Sequence, residues 1–414
     1  MKPATHKLGL WLVGAAGNVA TTVAVGLAAL KRKLAQPVGL ATADAPLNKL
    51  SLVKLENIVL GGHEISRRRV TDAAESMRVG SGLFSESLLK AVRPDLLQYE
   101  KRIRTGRVIQ SGSAITKLAS RPGAKRSASA RAIITQLRAD LREFAKRNKL
   151  ARVIVVHVAS TEPPFKLDRR HRDWKSLESA LARGVSPLPA SSLYAIAAIE
   201  EGMPFVSFTP SLGCDVPAIR ELADARGVPI MGSDGKTGET MLKTVLAPMF
   251  RDRRLRIDSW IGHNVLGNGD GAILETTANK SSKLLKKDSV VASIVGYKPE
   301  TRTSIEFVRS LDDWKTAWDH VHFTGFLNQK MILQFIWQGS DSILAAPLVI
   351  DLARLADYHA ARGRSGVMMH LACFFKSPMD VADHDFSRQV ALLHEYAARE
   401  LKGERRRPAK RASR

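Results

Sequence analysis

The chain has 414 residues, a formal net charge of +24, 44% apolar content and 25% charged residues. That length accommodates two domains with a sizeable core, and the composition excludes disordered and fibrous classes. Cys214 and Cys373 are too few for a disulfide framework or a cysteine metal site, so a reducing compartment is the default.

The first predicted element is an apolar strand, Leu8 to Val13. It meets the turn Gly14-Ala15-Ala16-Gly17-Asn18-Val19-Ala20, and an amphipathic helix follows from Thr21 to about Leu34. Strand, glycine turn and helix in that order aim backbone N–H groups at a place where a pyrophosphate docks. The spacing is Gly-x-x-Gly, which is a weak signal by itself. Leu8 to Leu30 carries no charge, but Asn18, Thr21 and Thr22 in mid-run and the lack of a cleavage pattern argue against a membrane span or signal peptide.

A second strand, Asn57 to Leu60, ends in Gly61-Gly62-His63-Glu64 and offers a carboxylate where a ribose hydroxyl is held. Ser111 to Ser129 reads as a mobile loop. A third strand, Val153 to Val158, is fully apolar as a buried parallel strand should be, and it ends in Ala159-Ser160-Thr161-Glu162. Helix Ser191 to Gly202, strand Phe205 to Phe208, helix Val216 to Arg226 and strand Pro229 to Met231 continue the alternation. This pattern predicts an α/β fold with a doubly wound parallel sheet. Residues 241–344, with strands Thr303 to Val308 and Met331 to Trp337, read as an inserted α+β domain. Helices Leu348 to Arg362 and Asp385 to Leu401, around a strand Met368 to Phe375, complete the first domain, which spans 1–240 plus 345–401.

The charge excess is local. Residues 101–150 hold 14 basic and 2 acidic side chains, and 402–414 hold 7 and 1. The second segment has almost no apolar content and reads as a disordered basic arm. The first lacks the run of aromatics that base stacking needs, so nucleic acid is not the expected partner, although both segments suit anionic surfaces.

Two motifs carry chemistry. Gly232 to Gly238 contains Gly-Lys-Thr but is not a phosphate-binding P-loop, because that motif needs a glycine at 230, where Ile stands. Further on, the turn Asn268-Gly269-Asp270-Gly271 precedes Lys283 and Lys287, one helical turn apart on one face. Alone, such lysines are a solvated surface; beside acids they form a place for an anion such as a phosphate or an enolate oxygen.

The stretches 232–240, 263–271, 283–287, 341–352 and 374–378 fall in the order of the conserved blocks of the inositol-1-phosphate synthases, and the chain resembles that family over nearly its whole length. The family's Asp-x-Lys-Ser-Gly-x-Thr block appears as Asp234, Lys236, Thr237, Gly238 and Thr240. The resemblance implies a Rossmann-like fold with an inserted catalytic and tetramerisation domain. It also implies a catalytic set of Asp234, Asp270, Asp341, Lys283, Lys287, Lys330 and Lys376. Lys283 and Lys330 would stabilise oxyanions and move protons, while Lys287 and Lys376 would hold phosphate or enolate oxygens. Lys330 follows Leu327-Asn328 where the family has Gly-Asp.

For the cofactor NAD, the resemblance assigns Gly14, Ala16, Gly17, Asn18 and Val19 to the dinucleotide loop and Glu64 to the ribose. Ala159, Ser160, Thr161 and Thr209 would line the same cleft. Asp234, Thr237, Asn268, Gly269, Asp270, Asp341 and Ser342 would approach the nicotinamide. The family's Asn-Asn-Gly-Ser-Thr is Asn18-Val19-Ala20-Thr21-Thr22 here, losing an amide and a glycine, and Val265 replaces a histidine. The implied reaction converts glucose 6-phosphate to 1L-myo-inositol 1-phosphate in a cytoplasmic homotetramer; the sequence has no His, Asp and Cys cluster with metal-ligand spacing, and the need for a metal or monovalent cation is not readable from it. Two alternatives stay open: a diverged cyclase of the same fold acting on another sugar phosphate, and a non-catalytic homologue that binds anions or nucleic acid.

Overall fold

A computed structural model describes residues 4–185, 187–269, 271 and 290–406, with side chains as far as 403. The first sheet takes strands β1 (Leu8–Val13), β2 (Ile58–Glu64), β3 (Ile103–Thr105), β4 (Arg152–His157), β5 (Phe205–Ser207), β6 (Pro229–Gly232) and β11 (Gly366–Val367). Its seven strands run parallel in the order β11-β6-β5-β4-β1-β2-β3. Order reverses at β1, which pairs with β2 on one side and β4 on the other, and the crevice beyond the carboxyl ends of β1 and β4 is where such sheets bind ligands.

Strand alternation divides the core into two layers. Leu8, Leu10 and Leu12 of β1 pack against the helices Asn18–Lys31 and Asp341–Ala360, whereas Trp11 and Val13 pack with Val153 and Val155 under the helices Ala130–Asn148 and Ala190–Glu200. The helices on both faces make the sheet doubly wound, as the alternation predicts. Losing one such buried leucine costs about 2–5 kcal/mol. Part of the basic run is paired along the surface of the helix Ala130–Asn148: Arg131 and Arg138 bridge to Glu200 at 2.7 and 2.8 Å, and Arg142 bridges to Glu201 at 3.0 Å.

Between β6 and β11 the chain builds a second sheet from β7 (Arg256–Leu266), β8 (Glu300–Phe307), β9 (Trp314–Thr324) and β10 (Lys330–Ser340), in the order β10-β9-β7-β8. One face packs Ile257, Trp260 and Val321 onto Ala247 and Phe250 of the helix Gly238–Asp252. On β10, an edge strand, Ile332 and Ile336 are 59% and 68% exposed. The antiparallel register sets Lys315, near the start of β9, beside Gly339 and Leu266. This end of the sheet therefore meets the start of the helix Asp341–Ala360.

Four local expectations change. Gly61 to Glu64 belong to β2 rather than lying beyond it; a Cβ on Gly61 would sit 2.6 Å from the Phe144 ring and one on Gly62 2.2 Å from the Leu12 carbonyl, so close packing requires both glycines. Ser111 to Ser129 contains the helix Gly112–Leu118, held by the buried Ser111 hydroxyl donating to Glu162 at 3.0 Å. The strand expected over Met368 to Phe375 is a 3-10 helix, Met369–Phe374, in which Leu371 through Phe374 are all buried, a pattern no half-buried strand gives. The last helix, Phe386–Arg406, runs into the segment expected as a disordered arm, because Lys, Glu and Arg are good helix formers; residues 407–414 lie outside the described residues. No helix among those described is long and apolar enough to cross a membrane.

Candidate active site

A cleft of about 470 Å³ opens beyond β1 and β4 and reaches the second sheet. Its floor is the turn after β1. Gly14 adopts φ +93°, and a Cβ there would lie 2.8 Å from the Ala159 Cα, so only glycine lets the two strand ends approach this closely. The Gly14 and Ala15 N–H groups donate to the His63 carbonyl at 2.9 and 3.0 Å, and Gly17 is the N-cap of the helix Asn18–Lys31. Glu64, at the end of β2, accepts from the Ala16 N–H at 2.8 Å and from the Ile65 and Ser66 N–H groups at 2.9 Å each. This carboxylate is thereby tied to the turn after β1 itself.

Two histidines support the wall. The ring Nδ1 of His63 accepts from the Trp11 indole at 2.9 Å, so its Nε2 carries the hydrogen and donates to Asp140 at 3.1 Å. His157 contacts the Thr209 hydroxyl at 3.0 Å, and burial pushes its pKa down to about 4. Both rings are neutral near pH 7 and serve as packing and orienting groups.

Opposite the floor, two short segments are zipped together. Ser233 N–H donates to the Ser377 carbonyl at 2.8 Å, Lys376 N–H to the Asp234 carbonyl at 2.6 Å and Lys236 N–H to the Phe374 carbonyl at 2.8 Å. That pairing brings the Lys376 ammonium to 3.0 Å from the Asp234 carboxylate, although they stand far apart in sequence. Lys236 of the Gly-Lys-Thr motif points away from the cleft. Its ammonium donates to Gln389 at 2.5 Å in the core, and burial lowers its pKa to about 8.

The second sheet contributes a matching pair. Lys315 approaches Asp341 at 3.4 Å, and the Thr237 hydroxyl donates to the other Asp341 oxygen at 3.5 Å. Buried Asp313 binds both halves together: it accepts from the Asn18 amide at 2.8 Å, the Ser340 hydroxyl at 2.5 Å and the Ser342 hydroxyl at 2.7 Å. Two ammonium groups and two carboxylates thus face one crevice, where charge developing on a bound anion meets fixed cations.

A profile of the NAD-binding family described as myo-inositol-1-phosphate synthase matches residues 8–398. The chain belongs to that family. It is 35% identical to inositol-3-phosphate synthase 1 of Bacteroides thetaiotaomicron over 94% of this chain and 92% of that protein. It is 30% identical to the probable inositol 3-phosphate synthase isozyme 3 of Arabidopsis thaliana over 86% and 76%. In fold it is similar to inositol-3-phosphate synthase from Caenorhabditis elegans, with a TM-score of 0.85 at 22% identity covering 97% of this chain and 86% of that one. A myo-inositol-1-phosphate synthase-related protein from Thermotoga maritima gives 0.78 at 21%, covering 95% and 99%.

The residues fit the family's NAD. Thr161, 1% exposed on the cleft wall, leaves its hydroxyl without a partner among the described residues, a polar group that a bound molecule can meet. Gly14, Ala16, Gly17, Asn18, Val19, Glu64, Ala159, Ser160, Thr161, Thr209, Asp234, Thr237, Asn268, Gly269, Asp341 and Ser342 all line this cleft, as does Lys376. Asp270, Lys283 and Lys287 lie outside the described residues.

Lys330 is the one expected site residue placed elsewhere. It starts β10, about 34 Å along the strand from Ser340 at about 3.4 Å per residue. There its half-exposed ammonium pairs with Asp258 at 2.9 Å. The cleft lysine at this point is Lys315, which sequence reasoning missed. A signal was present: Asp312-Asp313 precede it at the two positions where the family has Gly-Asp, a closer match than Leu327-Asn328.

Proposed function

We propose that the chain catalyses the NAD-dependent cyclisation of glucose 6-phosphate to 1L-myo-inositol 1-phosphate. The observation that carries this reading is the joining, in one cleft, of a dinucleotide turn with the pairs Lys376–Asp234 and Lys315–Asp341. Bound NAD supplies hydride transfer at carbon 5 of the sugar, out and back, so the conversion has no net redox change. The protein's own work is electrostatic. Oxidation at carbon 5 acidifies the proton on carbon 6, and enolate charge is stabilised by ammonium groups already fixed beside the sugar. Lys315, Lys376, Lys283 and Lys287 fill that role in this reading, with Lys315 taking the place first given to Lys330. Asp234 and Asp341 hold two of these lysines in position, and Asp270 belongs to the same set.

In this account the protein is a cytoplasmic homotetramer, and residues 241–344 form its catalytic and assembly domain. The exposed isoleucines on the edge strand β10 support assembly through the second sheet, since an open apolar edge invites strand pairing. The test is incubation of purified protein with glucose 6-phosphate and catalytic NAD, followed by phosphorus NMR. An inositol phosphate signal without accumulated NADH supports the reading. Unchanged glucose 6-phosphate with cofactor still bound would redirect it to another sugar phosphate.

A further inference from the structure

Beyond β2 the chain reads Glu64-Ile65-Ser66-Arg67-Arg68-Arg69, three consecutive arginines at the rim of the dinucleotide crevice. They have different surroundings. Arg69 turns to Thr71 at 3.0 Å and to Asp72 at 3.7 Å, on the helix Val70–Ser81. Arg68 lines the cleft and donates to the Asn18 side-chain oxygen at 3.1 Å, at the first residue of the helix Asn18–Lys31.

The side-chain donors native to that helix start are committed elsewhere or buried outside the cleft lining. The Asn18 amide donates to Asp313, the Thr22 hydroxyl donates back to the Asn18 carbonyl at 2.9 Å, and Thr21 is fully buried. Val19 and Ala20 bring no polar group. What remains for an anion at this turn is backbone N–H groups and a partial positive charge, whereas a pyrophosphate brings two full negative charges. Glu64 and Asp313 add further negative charge nearby. Of the two arginines among the described residues that line the cleft, Arg107 donates to the Gly123 carbonyl at 2.6 Å, whereas Arg68 is held at this helix start, and its planar fork suits phosphate oxygens.

We infer that Arg68 clamps the pyrophosphate of the dinucleotide, replacing donors that the Asn18-Val19-Ala20 turn lacks. The inference rests on the NAD reading and adds a binding residue to it. The guanidinium bridges the helix start, through Asn18, and the phosphate oxygens. Held at the helix start by Asn18, the guanidinium is expected to act on the phosphates rather than on the adenosine or nicotinamide ends.

The experiment compares wild type, Arg68→Gln and Arg68→Lys by NADH fluorescence titration and by competition with ADP and with adenosine. Arg68 is exposed, and equal denaturation midpoints establish that the variants are folded. Arg68→Gln is expected to weaken NADH and ADP by about 10- to 100-fold, the loss of one charge-assisted phosphate contact, and to leave adenosine within about twofold. Arg68→Lys, which keeps the charge but not the fork, falls between. NADH and ADP binding to Arg68→Gln as tightly as to wild type would overturn the inference, as would equal weakening of all three probes. Wild-type protein that binds neither NADH nor ADP would instead overturn the NAD reading, and the inference with it.

Discussion

Replacing Lys315 and Lys330 separately by alanine separates a cleft lysine from a surface one. Lys315 is only 13% exposed in its side chain and stands 3.4 Å from Asp341 inside the crevice, so Lys315→Ala removes a fixed cation beside that carboxylate. Loss of one preorganised electrostatic group costs about 10²–10³ in kcat. Lys330 is 53% exposed and pairs with Asp258 on the far end of β10. Exposed pairs of this kind contribute about 0.2–1 kcal/mol of stability, and at about 34 Å from Ser340 the ammonium has no reach to the sugar. Lys330→Ala should therefore turn over within about twofold of wild type. The assay is the initial rate of inositol phosphate formation at saturating NAD, with circular dichroism to establish folding. A dead Lys330→Ala beside an active Lys315→Ala would refute the placement of the catalytic lysine.

The zipped segments give a second test: Lys376→Ala should lower kcat by about 10²-fold or more while the denaturation midpoint moves little, because the backbone bonds between 232–236 and 374–379 do not need the side chain. Gly14→Ala places a Cβ 2.8 Å from Ala159 at a φ of +93° and should cost about 2–4 kcal/mol of stability, combining left-handed strain with overpacking, and weaken NADH binding in a fluorescence titration. Acid should destabilise the fold through its buried neutral histidines. His157 and His359 have pKa values lowered to about 4 by burial, below the unfolded value of about 6.5. Their contribution is complete above that value and is lost as pH falls toward 4, by about 2 kcal/mol each at pH 5. Urea midpoints at pH 7.5 and 5 check the sign, and His157→Gln should lose less between the two than wild type.

Much of the fold was legible because local pattern and tertiary role coincide. The apolar run Leu8 to Val13, closed by Gly14 and Gly17, announces strand, turn and helix, and every glycine and small residue assigned there lines the cleft. The alternation through Met231 likewise announces a parallel sheet. What sequence obscured depends on pairing over distance. Lys315 reaches the cleft because the β9–β10 hairpin sets it opposite Gly339, whereas Lys330 falls at the hairpin's other end; neither fact is written in local composition. Gly61 and Gly62 fall outside the strand by sequence because their reason is the approach of Phe144 and Leu12 from elsewhere. The apolar run Met368 to Phe375 suits strand or helix equally by periodicity, and packing against the helix Phe386–Arg406 decides for a 3-10 turn.

In a redox-neutral cyclisation the hydride taken from the sugar returns to it. The most direct measurement uses glucose 6-phosphate deuterated at carbon 5, with catalytic unlabelled NAD, and reads the product by mass spectrometry and deuterium NMR. The account predicts inositol phosphate that retains the deuterium at that carbon, with no net NADH. Product lacking the label, or stoichiometric NADH in place of product, would contradict it.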